Sequence, residues 1–283
     1  MVERRSTQGV LAHVVMILGV LIVAFPIYLA FVASTHTAQE IVQRPMPLLP
    51  GSNMLDSYKG ALFGRASSAG SNAPVAHMMW VSLVTALVIA IGKIAISLLS
   101  AFAIVYFRFP FKKICFWAIF VTLMLPVEVR ILPTYKVLSD LSMLNSYAGL
   151  TVPLIASATA TFLFRQFFLT VPDELCEAAR LDGASPLRFF WSILLPLSVP
   201  NMVALAIILF LFGWNQYLWP LLFTTDKEMG TAVLGLKQLV PVSDSTPAWN
   251  IAMSAALLVM LPPAAVILFM QRWFTKGLVD SGK

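Results

Sequence analysis

The chain has 283 residues, of which 59% are hydrophobic and only 11% are charged, and its formal net charge is +6. Soluble globular domains carry about 25% charged residues, so this composition, with a mean hydropathy of +0.85, excludes a soluble protein and indicates an integral membrane protein. In such a chain the positive charge reports loop topology, and it does not indicate a nucleic-acid partner.

Six apolar segments are long enough, or nearly so, to cross a membrane as helices. They lie near residues 10–33, 78–106, 114–133, 147–169, 200–223 and 250–271. Because a chain in hydrocarbon must satisfy its own backbone hydrogen bonds, we expect helices and not strands. The first segment is longer than the apolar core of a signal peptide, so we expect it to be retained. The prediction is an all-α membrane protein with six transmembrane helices in a single domain, residues 1–283.

The distribution of Lys and Arg predicts the orientation of these helices. With the N-terminus inside, the inner segments hold more Lys and Arg than the outer loops, although the outer loops are longer. Because basic loops stay on the cytoplasmic side, both termini are predicted to be cytoplasmic. The loop 34–77 then faces outward. Its many Pro, Gly, Ser and Asn residues predict an irregular loop, which either contacts another protein or is a flexible connection.

Two basic residues lie within predicted spans, where an ionised side chain is costly. Lys93 is near the middle of the second span, and Arg130 is near the outer end of the third. Lys93 either attracts an anionic substrate or pairs with a polar group on a neighbouring helix, and we prefer the structural pairing. Arg130 is the better candidate for an anion contact in a substrate pathway, although extension of its side chain to the outer interface explains it equally well.

A more polar segment, residues 170–197, lies between the fourth and fifth spans on the predicted cytoplasmic side. Its first residues, VPDE, suit the first turn of a helix, where the dipole favours negative charge. Gly183 lies where a helix end needs a residue with positive φ. The sequence Ser185-Pro186 is typical of the start of a second helix, which is predicted to stop before Pro196. The pattern therefore predicts two short helices that meet at a glycine bend.

The surface of the first short helix suits contact with another protein. Ala178 and Ala179 have almost no bulk, so a partner can approach the backbone closely. Charged residues that could fix orientation surround them: Glu177, Arg180 and Asp182. An apolar stripe on the second helix is predicted to anchor the segment to the membrane helices: Leu187, Phe190 and Leu194. A helix lying on lipid would instead show a broad basic face, so the segment is predicted to dock a protein.

Polar and aromatic residues gather between the middle and the outer end of the fifth span. They include Trp214, Asn215 and Gln216, with Tyr217 and Trp219 close by. Buried amides need hydrogen-bond partners, and rings beside them resemble a platform for a polyol or sugar. The first three residues are therefore candidates for the substrate pathway. An aromatic belt at the membrane interface explains the rings equally well.

The docking segment carries a spaced motif: EAA, then three residues and Gly, then nine residues and IxLP. Its fixed positions are Glu177, Ala178, Ala179, Gly183, Ile193, Leu195 and Pro196. The motif resembles the EAA loop of ABC importer permeases, which also precedes the penultimate span. The stretches LMLPVEVRILPTY (123–135), SYAGLTVPLIASATATFLFRQFF (146–168) and GWNQYLWPLL (213–222) are similar to the maltose-type carbohydrate importers of this family. The resemblance covers essentially the whole chain.

This resemblance implies the type I ABC importer permease fold, with a cytoplasmic coupling-helix pair between helices 4 and 5. In the family this segment inserts into a cleft on the ATP-hydrolysing subunit, a role that would fall here to the motif residues and to Asp182 beside them. The implied partners are a second permease subunit in a heterodimer, an ATPase dimer that binds ATP and Mg, and a periplasmic or lipid-anchored binding protein. The resemblance places the chain in the cell inner membrane, in contact with lipid and without a cofactor of its own.

The sequence identifies the family more clearly than it identifies the substrate. The overall likeness is to permeases of sn-glycerol-3-phosphate importers, which implies alternating-access transport of sn-glycerol-3-phosphate or a related glycerophosphodiester. A neutral sugar or polyol is the alternative substrate within the same family. No residue pattern by itself identifies a phosphate contact.

Two other classes of membrane protein fit the sequence less well. The chain has no GxxxxGK[ST] motif, so ATP hydrolysis is expected in a separate subunit. An ATP-independent secondary transporter is the less favoured alternative, since the chain shows no convincing internal repeat. A membrane-embedded enzyme would need paired carboxylates, a Ser/His/Asp set or metal-ligand spacing at membrane depth, and the sequence indicates none. No catalytic or metal-binding residue is therefore predicted.

Overall fold

The computed structural model describes residues 7–64, 73–122, 126–239 and 248–280. Within these ranges every regular element is helical and no strand is present. The described part of the chain therefore has the all-α architecture that the apolar composition predicts.

The helices are numbered in chain order. The first seven are α1 (Thr7–Ser34), α2 (Ala38–Val42), α3 (Met54–Phe63), α4 (Val75–Tyr106), α5 (Lys112–Val121), α6 (Val127–Asp140) and α7 (Tyr147–Ile155). They are followed by α8 (Ala158–Phe168), α9 (Asp173–Leu181), α10 (Pro186–Phe189), α11 (Leu195–Trp214), α12 (Leu218–Phe223), α13 (Ala232–Gln238) and α14 (Trp249–Asp280). A π-helical turn, Phe190–Leu194, joins α10 to α11, and a 3₁₀ turn, Lys227–Met229, precedes α13.

Several helical segments in the described ranges are long and apolar enough to cross a membrane. They are Gly9–Ser34, Val75–Tyr106, Pro186–Trp214 and Trp249–Met270. The pair α7 and α8, bent by 43° at a short break, is a fifth candidate. The first, second and sixth predicted spans match these segments closely, and the fourth corresponds to the bent pair.

The third predicted span, 114–133, is not a single described helix. Helix α5 ends at Val121, α6 begins at Val127, and residues 123–125 between them lie outside the described residues. Pro126 is the N-cap of α6 in an extended conformation, as expected for a proline that cannot continue a preceding helix. The described helices account for four spans, or five with the bent pair, and the sixth stays a prediction.

The fifth predicted span, 200–223, is wrong at both ends. The helical segment begins at Pro186 and continues to Trp214, while α12 is separate from it. In the π-helical turn the Leu195 N–H donates to the Phe190 carbonyl, five residues back. This wider turn carries the helix past Pro196, which has no N–H to donate. The two short helices predicted for residues 170–197 are therefore one short helix and the start of a long one.

The described residues divide into two compact units. The first comprises the described parts of Met1–His77 and Gly235–Leu261, and the second those of Met78–Leu234 and Pro262–Lys283. All of the candidate site residues named above belong to the second unit. The expectation of one transmembrane domain stays a prediction.

The loop predicted to be irregular, 34–77, contains two helices in its described part, α2 and α3. The Thr37 hydroxyl accepts from the Glu40 N–H at 3.4 Å, and the Glu40 carboxylate accepts from the Thr37 N–H at 3.0 Å. Farther along, the Thr35 hydroxyl accepts from the Gly51 N–H at 2.8 Å, and the Thr35 carbonyl accepts from Asn53 at 2.9 Å. The prediction is therefore wrong for residues 34–64. Residues 65–72 lie outside the described ranges.

The second unit contains two groups of buried apolar side chains. The first, which we call the aromatic cluster, includes Phe102, Phe164, Phe168, Ala179, Phe189, Phe190 and Leu194. The second, the Trp219 group, includes Val81, Ile131, Leu150, Leu154, Trp219 and Phe223. The Trp219 indole stacks on Phe223 with 4.0 Å between ring centroids and donates to the Gly149 carbonyl at 3.2 Å. The aromatic cluster supports α9, and the Trp219 group fixes α7 against α4, α6 and α12.

Candidate functional site

Residues 170–197 form the first candidate site, the docking segment, which comprises α9, its C-terminal bend and the helical start that follows. Gly183 has φ of +71°, and its N–H donates to the Arg180 carbonyl at 3.0 Å. The Ala184 N–H donates to the Ala179 carbonyl at 2.9 Å. These two bonds form a Schellman motif, which satisfies the last carbonyls of a helix around a residue with positive φ. The predicted glycine bend is confirmed.

The second helix of the docking segment begins where the sequence predicts. The Ser185 hydroxyl accepts from the Arg188 N–H at 3.3 Å, and Pro186 occupies the first helical turn. The first N–H groups of a helix have no partner within it. The serine hydroxyl accepts from one of them, and proline has no N–H that would need an acceptor. Only three residues, Asp182, Gly183 and Ala184, therefore separate the end of α9 from the cap of α10.

The motif residues divide into an exposed set and a buried or partly buried set. The exposed set is Glu177, Ala178, Asp182, Gly183 and Pro196. Ala179 is buried in the aromatic cluster, and Ile193 and Leu195 pack against it. The prediction that both alanines present a surface to a partner is therefore wrong for Ala179, whose small side chain fits α9 to its own chain.

The apolar stripe of the second helix also differs from the prediction. Leu187 is 61% exposed, whereas Phe189 is buried. Ring contacts with α4 set the phase of the helix: Phe189 lies 5.3 Å from Tyr106, and Phe190 lies 4.9 Å from Phe102, between ring centroids. Phe189 therefore replaces Leu187 among the anchoring residues.

The second candidate site is a cavity of about 430 Å³, which we call the bend cavity because the break between α7 and α8 forms part of its wall. Residues of α4, α5, α6, α8 and α11, and of the turns that follow α5 and α7, line it: Lys93, Ile96, Ser100, Ile119, Thr122, Arg130, Ala156, Ser157, Ala158, Thr159, Thr161 and Phe212. Lys93 is 8% exposed, and its Nζ lies 3.9 Å from the centroid of the Phe212 ring. The structure thus brings together Lys93 and Arg130, which the sequence singles out separately.

Hydroxyl groups hold the break between α7 and α8. The Ser157 hydroxyl accepts from the Ala160 N–H at 3.3 Å, which makes Ser157 the N-cap of α8. The Ser157 carbonyl accepts from the Ser97 hydroxyl at 3.3 Å and from the Thr161 hydroxyl at 2.9 Å. Sequence analysis missed this break because residues 147–169 form one apolar run. The signal it overlooked is a serine at an N-cap position within that run.

The third group of candidates, at the end of α11, is not part of the bend cavity. Trp214 is 1% exposed and its ring stacks against Phe210 at 5.8 Å. Asn215 is exposed and caps the C-terminus of α11, and the Gln216 side chain donates to the Phe212 carbonyl at 3.1 Å. These residues therefore end α11 in this conformation, and their place in a substrate pathway stays a prediction. The sequence did not single out Phe212, which does line the cavity.

Residues 93–280 match the model of a family described as binding-protein-dependent transport system inner membrane component. The chain is 54% identical over 283 residues to a protein of Brucella melitensis and 56% identical over 283 residues to one of Agrobacterium fabrum, each aligned over 100% of both chains. Both relatives are named sn-glycerol-3-phosphate transport system permease protein UgpE.

A solved structure shares the fold. It is the crystal structure of a bacterial ABC transporter involved in the import of the acidic polysaccharide alginate, and the similarity has a TM-score of 0.78. The aligned region covers 97% of this chain and 99% of the other, with 20% sequence identity. At that identity the likeness is evidence for the fold alone.

Proposed function

The chain belongs to the family of binding-protein-dependent transport system inner membrane components, and from that membership we propose that it is the permease subunit of an ABC importer for sn-glycerol-3-phosphate. The observation that carries the proposal is the full-length identity of 54–56% to proteins named for this transport. A related glycerophosphodiester is a further candidate substrate. The chain itself is a membrane permease and leaves ATP hydrolysis to another subunit.

The proposed assembly follows the family pattern. The chain pairs with a second, different permease subunit, two ATPase subunits bind ATP and Mg, and an external binding protein delivers the substrate. In the proposed type I fold, six spans cross the inner membrane with both termini in the cytoplasm. The apolar surface of α1, where Ile22 and Val23 are each 72% exposed, suits contact with lipid or with the second permease.

We propose that the exposed motif residues contact the ATPase. Glu177, Ala178 and Asp182 lie on the exposed side of α9 or at its end, while Ala179 holds the helix against the aromatic cluster. The contact surface is therefore backed by a packed core and is not carried by a loose loop. Movement of the ATPase subunits on binding ATP would move α9 together with the helices that meet in the cluster, and alternating access would follow.

The experiment uses the complete complex in proteoliposomes, with ATP inside and the binding protein outside. We expect uptake of labelled sn-glycerol-3-phosphate that depends on ATP. Uptake of a neutral sugar or polyol in its place would contradict the proposed substrate. Uptake by this chain without ATP would contradict the ABC mechanism and support a secondary transporter.

A charge reversal tests the docking role. Glu177→Lys should reduce uptake while complex assembly and membrane insertion are unchanged, because Glu177 is exposed and supports no core contact. Asp140→Lys is the matched control, since Asp140 is an exposed acid at the end of α6, outside the motif. Equal uptake by the two variants would contradict the docking assignment and leave the proposed substrate untouched.

A further inference from the structure

The bend cavity is lined by two positively charged residues, one of which is buried within a candidate membrane span. Lys93 lies within α4, a candidate span, and is almost completely buried. Arg130 lines the same cavity from α6. An ionised side chain at this depth is unfavourable unless a partner offsets its charge. Two cations in one cavity repel each other, so an uncompensated pair raises this cost further.

Within the described residues, no ion pair within 4 Å joins Lys93 or Arg130 to a carboxylate. The ion pair found within 4 Å among them joins His36 to Glu40, in the other unit. The partner of Lys93 is the face of the Phe212 ring, with 3.9 Å from Nζ to the ring centroid. A cation–π contact lowers the cost of burying the ammonium group but brings no negative charge. The cavity wall is therefore cationic in the absence of a ligand.

The break between α7 and α8 adds polar groups to the same wall. The first N–H groups of a helix have no acceptor within that helix. The Ser157 hydroxyl accepts from the N–H of Ala160. The two residues of α8 that precede Ala160, Ala158 and Thr159, line the cavity. The dipole of the 11-residue helix α8 adds partial positive charge at this end. Half-helices that begin at mid-membrane commonly point their N-termini at anionic substrate groups.

Resting on the proposed function, we propose that the bend cavity binds the phosphate group of the substrate during its passage. Lys93 and Arg130 offset the phosphate charge, and the N-terminal turn of α8 donates N–H groups to its oxygens. The Phe212 ring holds the Lys93 ammonium group at the cavity wall. The volume of about 430 Å³ lies within the range of roughly 300–1,000 Å³ that small-molecule sites occupy.

The charges of the site specify which substrates it favours. A phosphate monoester carries about −1.5 to −2 charges at neutral pH, which matches the two cations of the wall. A phosphodiester carries one negative charge and leaves one cation uncompensated, and a neutral polyol leaves both. The site therefore favours sn-glycerol-3-phosphate over its diesters, and the diesters over neutral sugars. Direct contact with the phosphate also explains why the site would retain a cation as deeply buried as Lys93, which is 8% exposed.

The test measures uptake by Lys93→Gln and Arg130→Gln complexes in proteoliposomes. Each variant removes a charged contact, so uptake of sn-glycerol-3-phosphate at low concentration should fall by roughly ten- to a hundredfold. Uptake of a glycerophosphodiester should fall less. Lys136→Gln is the matched control, because Lys136 is an exposed lysine on the same helix as Arg130 and does not line the cavity. It should transport like the unchanged protein.

A second measurement separates a substrate role from a structural one. Lys93→Met removes a buried charge from an apolar setting, so the thermal stability of the purified complex should stay equal or rise while uptake falls. A complex of lower stability would instead mean that Lys93 is a structural residue and would overturn the proposal. Uptake within twofold of the control in both glutamine variants would also overturn it. Failure of the unchanged complex to import sn-glycerol-3-phosphate would contradict the proposed function itself.

Discussion

The chain changes direction at two helix breaks, one formed by a glycine and the other by side-chain hydroxyl groups. At the bend of the docking segment, Gly183 supplies a positive φ, and a Cβ built on it would find nothing within 4 Å. At the break between α7 and α8 there is no glycine, and hydroxyl groups of Ser157, Ser97 and Thr161 satisfy the backbone instead. The first bend is exposed and needs only conformational freedom. The second lies within a candidate span and needs a partner for each polar group.

The difference follows from the solvent at each bend. Water can hydrogen-bond to the unpaired N–H and C=O groups of a helix end that reaches the aqueous phase. A local signal in the chain therefore suffices to end a helix there. In hydrocarbon no water is available, and an unsatisfied backbone group must be paired by the protein. The Ser97 hydroxyl reaches the Ser157 carbonyl from a helix 60 residues away along the chain. A bend at membrane depth is therefore a tertiary feature.

The largest expected effect is at the exposed bend. Gly183→Pro fixes φ near −65° where +71° is required, and it removes the N–H that donates to Arg180. Such a change costs about 3 kcal/mol or more, so α9 should lose its orientation and ATP-dependent uptake should be abolished. The amount of inserted complex, measured in the same membranes, should be unchanged.

The matched variant at this bend is Gly183→Ala. A left-handed conformation costs an L-residue about 1–2 kcal/mol, and the open space around Gly183 adds no steric penalty. We therefore expect partial uptake, between that of the unchanged protein and that of Gly183→Pro. Normal uptake by the proline variant would show that this bend does not position the docking segment.

An intermediate effect should distinguish the two serine caps. Ser157→Ala leaves the Ala160 N–H without an acceptor in the span and should destabilise the complex by about 1–3 kcal/mol. Ser185→Ala removes the same kind of cap at the exposed bend, where water can replace the hydroxyl, and should cost about 0.5–1 kcal/mol. Thermal unfolding of both purified complexes tests the difference. Equal losses would mean that water in the bend cavity replaces the Ser157 hydroxyl as the acceptor for the Ala160 N–H.

The smallest expected effect concerns a third helix start, that of α2, which follows the C-terminus of α1. The His36 ring lies 2.9 Å from the Leu49 carbonyl and 3.0 Å from the Glu40 carboxylate. The hydrogen bond to Leu49, with a smaller contribution from Glu40, raises the pKa of His36 above its usual value of 6.5. The imidazolium form therefore stabilises the segment below pH 6.5, and this stability is lost as the pH rises through the raised pKa.

Hydrogen exchange of residues 36–53 as a function of pH measures this effect. Protection should decrease as the pH rises, and the decrease should be small because both side chains are partly screened by water. In His36→Gln the pH dependence should disappear, and the protection of α9 should respond in neither protein. A pH response of the same size in the variant would assign the effect to another group.

The sequence predicts the docking segment well because its signals are local. The glycine with positive φ, the Ser185 cap and the acidic first turn of α9 all act within a few residues. The sequence does not predict that Ala179 is buried or that Leu187 is exposed, because ring contacts with Tyr106 and Phe102 determine which face of each helix packs inward. The break at Ser157 has a local serine cap, but the Ser97 hydroxyl from a distant helix also stabilises it, so the local signal alone does not predict it.

The bend cavity, too, depends on contacts between distant helices that the sequence does not predict. The sequence identifies Lys93 and Arg130 as costly residues, each by its position in an apolar segment. Their meeting in one cavity depends on how α4 and α6 pack, and the Trp219 group, which includes Ile89 of α4 and Ile131 of α6, sets that packing. The role of Phe212 depends on the end of α11, which the sequence places nine residues too far along the chain at Phe223.

In the proposed coupling, the continuous helix from Pro186 to Trp214 would act as a rigid lever. It has 29 residues, which corresponds to a length of about 43 Å. It begins at Pro186, three residues after Gly183. Near its other end, the Phe212 ring touches the Lys93 ammonium group. A tilt of about 5° around one end would displace the other by about 4 Å at this length. A small displacement of the docking segment would thereby move the Phe212 ring away from the Lys93 ammonium group.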